Sequence, residues 1–189
     1  MTFAFFLKTE RVEKNNRIIA ALFLAYIVLG SLIVVLDLGN TLWGQWIAKV
    51  GRSLIPAIKG TAEITSAPDS AATVLAIAWI WGGIMHAPVA WLLLTTRCHV
   101  VNWEHWNKLT WVMKNGFLVG VLAGIFVAAH LVPTDSAGME WIIFNLLNAS
   151  PIYIVLWGMA IWASIWIGLL VTTISLIGLI GQFNKGDKL

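Results

Sequence analysis

Four stretches of this chain, residues 18–36, 71–96, 116–132 and 151–183, are apolar almost throughout. A bilayer's hydrocarbon core takes about 20 apolar residues of helix to cross. Inside it a backbone must satisfy its own hydrogen bonds, which a helix does within a single segment. The rest of the composition agrees, with 59% hydrophobic and only 11% charged residues, outside the range of soluble domains. The expected architecture is therefore all-α: a polytopic integral membrane protein built as a four-transmembrane-helix bundle, one membrane domain over 1–189. The third window is the shortest. Extended back to 112–132 it reaches spanning length, with Lys114 snorkelling its amine to the interface.

The first window follows Lys8, Arg11, Lys14 and Arg17 and so invites comparison with a secretion signal. It is too long and has no small-residue cleavage site before Asp37, so it reads as a retained helix. Orientation follows from the remaining Lys and Arg. Nine lie before the first span, between the second and third, or after the fourth; only Lys49, Arg52 and Lys59 lie in the other loops. The positive-inside rule then places both termini in the cytoplasm, with a bacterial inner membrane as the expected location. The basic balance needs no nucleic acid, because no compact cationic cluster comes with an aromatic platform. The single cysteine, Cys98, excludes an internal disulfide.

Between the spans the sequence predicts short amphipathic helices at the interface. Residues 41–55 place Trp43, Ile47, Val50 and Leu54 at spacings of four and three, with Gln45, Lys49 and Arg52 on other faces, and Pro56 stops the run. Residues 138–148 are apolar around Trp141 but too short to span. Phe3, Phe5, Phe6 and Leu7 suggest a further interfacial helix before the first span. Ser150 followed by Pro151 reads as the start of the fourth helix.

Small residues recur at intervals of four in the third helix, at Gly116, Gly120, Gly124 and Ala128, and in the fourth, at Ala160, Ser164, Gly168 and Thr172. Such rows let backbones approach closely in lipid. The expectation is that they pack the third helix on the fourth, or else dock this protein on another membrane subunit or a second copy. The chain also holds 12 tryptophans. Trp43, Trp46, Trp103, Trp106, Trp111 and Trp141 fall near interfaces, where indoles belong. Trp79, Trp81, Trp91, Trp157, Trp162 and Trp166 fall within spans; these are expected to face lipid or another subunit, the alternative being an aromatic wall for a quinone, lipid or pigment.

The run "WIWGGIMHAP" places an imidazole, His86, deep in a span. It lies about 21 Å along the second helix from Ala72. Gly82, Gly83 and Pro88 mark a kink there, since proline withholds a helix hydrogen bond. The architectural reading has His86 donating to a freed carbonyl or to a polar group on a neighbouring helix. The functional reading makes it a partner for haem b or quinone. A bis-histidine haem lacks its second ligand, because His130 is at the wrong depth and His99 and His105 lie in a turn. Met85 and Met159 offer only weak axial ligands. Cys98, His99, Glu104 and His105 match no zinc spacing.

No Asp or Glu lies within a span, which removes the carboxylate a proton-coupled carrier uses. Phosphate-loop, metalloprotease and serine-hydrolase motifs are missing from the sequence. The function expected is that of a non-catalytic membrane subunit or assembly factor in respiratory, secretory or transport machinery. The alternatives are an electron-transfer subunit using His86 and a small channel or carrier.

Overall fold

A computed structural model describes residues 13–95, 104 and 108–186. Among them every regular element is helical, in the order α1 (Glu13–Val35), a 3-10 turn (Leu38–Asn40), α2 (Leu42–Leu54), α3 (Pro56–Glu63), α4 (Pro68–Thr95), α5 (Trp111–His130), α6 (Met139–Ala149) and α7 (Ile152–Gly186). Three of these are long and apolar enough to cross a membrane: Asn16–Val35 in α1, Pro68–Thr95 in α4 and Ile152–Leu176 in α7. In α5 the described apolar stretch, Val119–His130, is shorter than a span. The segment holding Phe3, Phe5, Phe6 and Leu7 lies outside the described residues, as do Cys98, His99, Trp103, His105 and Trp106.

The helix α4 organises the molecule. Helices α1, α2, α3 and α7 all pack on it, most extensively α7. Its first turns, Ser70 to Ala76, are buried on every side. Alanine, serine and threonine dominate there, and small side chains let several helices crowd one backbone. Further along, the same helix uncovers Ile80, Ile84, Trp91 and Leu94, so only this half meets the surroundings. The helix α5 is peripheral, packing mainly on α7 and α3.

The link between α1 and α4 folds as a compact cap at one end of the bundle. Asp37 ends α1 with φ of 47°, a left-handed conformation that Asp tolerates better than branched residues. Its carboxylate accepts from the Ser70 hydroxyl at 2.7 Å and from the Asn40 amide. Ser70 Oγ in turn accepts from the Gly39 amide at 3.2 Å. Thr41 caps α2, accepting from Gly44 N at 3.3 Å. The Arg52 guanidinium clamps the start of α4, reaching Asp69 at 2.7 Å and the Pro68 carbonyl at 2.8 Å. Proline at its first position begins α3, a helix absent from the sequence reading.

The apolar side expected for α2 stands away from the rest of the chain, apart from Ile47. Gly44, Ala48 and Gly51 are its buried residues, with Ile47 partly covered beside them. Leu42, Trp43, Trp46, Val50 and Leu54 stand exposed. Closeness explains the choice: a side chain at Gly51 would come within 2.7 Å of Ala76 Cβ, so only the small face fits against α4.

The tryptophans within the spans also depart from expectation. Trp91 alone among the six is exposed, at 70%. Trp162 is 3% exposed and belongs to the core, while Trp79, Trp81, Trp157 and Trp166 pack against it. The Trp81 indole donates to the Leu22 carbonyl at 3.2 Å, tying α4 to α1. Tyr26 of α1 lies fully buried between Trp81 and Trp162, its ring 5.8 and 5.9 Å from theirs.

Candidate functional site

The polar site in the bundle lies between α4 and α7. His86 Nε2 is 3.0 Å from Thr173 Oγ1, and Thr173 Oγ1 donates its own proton to the Leu169 carbonyl at 2.8 Å. With that proton committed, the threonine oxygen accepts and His86 Nε2–H donates. That pairing favours the Nε2–H tautomer, and among the described residues Nδ1 has no hydrogen-bond partner. This is the bond to a neighbouring helix that the architectural reading anticipates. A haem iron taking Nε2 would displace this contact with Thr173. Met85 is buried next to His86 in sequence, and Met159 is partly buried on α7.

The two glycines of the motif do different things. A methyl at Gly82 would meet Ile165 Cβ at 2.7 Å and the Trp162 carbonyl at 3.0 Å, whereas Gly83 faces open space. Gly82 is therefore a point of close approach between α4 and α7. Pro88 stands inside α4, which continues as helix on both sides of it.

The small-residue rows divide in the same way. Gly168 of α7 receives α5: its missing side chain makes room for Val121 Cγ1 at 2.9 Å and Ile125 Cδ1 at 3.1 Å. Among the described residues Gly120 and Gly124 meet nothing within 4 Å, and the contact of α5 at Gly168 runs through Val121 and Ile125 instead. Ala128 and Thr172 are partly covered, and Ala160 and Ser164 are exposed, with the Ser164 hydroxyl turned back to the Ala160 carbonyl at 2.8 Å. The surroundings of Gly116 lie outside the described residues. Sequence reasoning overlooked Gly30 and Gly158, which seat Val155 and the Tyr26 hydroxyl. Their only sequence signal is a small residue inside an apolar helix.

Among the described residues no three of His, Cys, Asp and Glu gather as metal ligands would. His130, exposed at the end of α5, donates from Nδ1 to the Phe126 carbonyl at 2.9 Å and stacks on the Phe126 ring at 4.5 Å. Lys108 Nζ donates to Glu104 at 2.9 Å, and that hydrogen bond holds the exposed Glu104 carboxyl below its ordinary range.

The fold thus defines an all-helical protein with membrane-spanning potential and a polar contact inside its helix pair. Compared with family models, curated proteins and solved structures, the chain matches none.

Proposed function

We propose that this chain is a non-catalytic subunit or assembly factor of a larger membrane complex. In this reading it crosses a bacterial inner membrane four times, α5 being the additional span, with both termini cytoplasmic. The observation that carries it is the open glycine face of α5. Gly30, Gly82, Gly158 and Gly168 are each filled by a residue of the same chain, while Gly120 and Gly124 meet none among the described residues. Around them Val119, Leu122, Phe126 and Val127 are exposed. Small residues flanked by larger apolar ones suit close approach of another helix in lipid.

The test is affinity purification of the tagged chain in mild detergent, as wild type and as Gly120→Leu. A stoichiometric membrane partner in the wild type, lost in a variant that stays folded, is the expected outcome. Recovery of the same partner with the variant, or of no partner with either protein, overturns the reading.

A further inference from the structure

We infer that α2 is a three-sided membrane anchor whose exposed apolar side inserts among the acyl chains of one leaflet, with Lys49 at the level of the lipid phosphates. The inference is independent of any partner subunit. At about 100° per residue, the α2 side chains fall into three sectors of roughly a third of a turn each. Gly44, Ala48 and Gly51, with Ile47, form the side laid against α4. Leu42, Trp43, Trp46, Val50 and Leu54 form a second side, all exposed. Gln45, Lys49 and Arg52 form the third.

A surface helix of a water-soluble fold has two sides, one for the core and one for water. Here the core side is made of the smallest residues, and the largest apolar side chains are turned away from the chain. Leu42 is 89% and Leu54 72% exposed, a placement that water disfavours and acyl chains favour. Lys49 borders the apolar side one turn from Trp46, and no described carboxylate pairs with it. Arg52, by contrast, is occupied by Asp69. A free lysine beside an indole suits the zone where phosphates meet acyl chains.

A second segment argues for lipid rather than a single protein partner. Gly60 of α3 is filled by Val132, just beyond α5, so the segment from α5 to α7 lies at the same end of the bundle as α2 and α3. There α6 also exposes a tryptophan among apolar residues: Met139, Trp141, Ile142 and Leu146. Two separate helices presenting indoles at one end of the bundle form a belt, the pattern set by a surrounding interface.

The test places single spin labels on the full-length chain in a Cys98→Ser background. One set replaces Trp46, Val50 and Leu54; the other replaces Gln45 and Lys49. All five side chains are exposed, so folding is not at stake, and unlabelled Cys98→Ser protein supplies the stability reference. The protein is reconstituted in phosphatidylcholine vesicles containing a minority of phosphatidylglycerol, and collisions with oxygen and with a water-soluble nickel chelate are compared. The expected result is that the first set sits about 5–10 Å deeper than the second, with oxygen favoured on one side of the helix and nickel on the other. Equal nickel access for both sets would mean that α2 stands clear of the bilayer. Shielding of the first set from both reagents would mean that protein covers it. Either outcome overturns the inference.

Discussion

Gly82 and Gly83 adjoin in sequence, yet one touches a neighbouring helix and the other touches nothing. Gly82→Ala is expected to destabilise by about 1–3 kcal/mol, because Ile165 meets the new methyl with its branched carbon and Trp162 with backbone, neither of which moves freely. Gly83→Ala is expected to be neutral or to stabilise by about 0.5–1 kcal/mol, through helix propensity alone. Thermal unfolding midpoints in detergent check both. The His86–Thr173 pair carries a similar asymmetry. Thr173→Val orphans the half-buried Nε2–H and is expected to cost about 1–3 kcal/mol, whereas His86→Leu leaves Thr173 bonded to Leu169 and loses only about 0.5–1.5 kcal/mol. His86→Gln is expected to be the mildest, since an amide still donates to the threonine oxygen. The same midpoints rank the three, and a larger loss in His86→Leu than in Thr173→Val would refute the assigned tautomer. Nothing in "WIWGGIMHAP" separates the two glycines or identifies Thr173, 87 positions away. Those contacts depend on which side of α4 faces α7.

At the scale of elements, α2 shows how far helical periodicity reaches. Spacings of four and three reveal an amphipathic helix, and its ends at Thr41 and Pro56 follow from capping and from proline's missing amide. The side that meets the protein is a different matter. Apolar side chains are as welcome to lipid as to a protein core, so in a membrane chain their pattern does not point inward. The decisive property is volume: α4 comes within reach of Gly51 and excludes anything larger. Gly51→Val is therefore expected to lift α2 from α4, with faster tryptic cleavage at Lys59 as the readout. Val50→Ala, on an exposed side, is expected to leave that cleavage rate unchanged.

At the scale of the whole molecule, the four-span topology predicts that reporter fusions after Leu189 and near Asp135 report opposite sides of the membrane, the C-terminal one cytoplasmic. The same side for both would remove α5 as a span. The helical class, the long apolar helices and the breaks between them were legible in the sequence alone, because they depend on local chemistry: continuous apolar length, proline and glycine punctuation, and the absence of buried charge. The burial of Tyr26 and Trp162, the engagement of His86 by α7 and the division of glycines into filled and open were decided only by tertiary structure. Each depends on how closely two helices approach and with which faces. A sequence gives the spacing of small residues along one helix but not the rotation and depth at which another helix meets them, and packing falls off within fractions of an ångström.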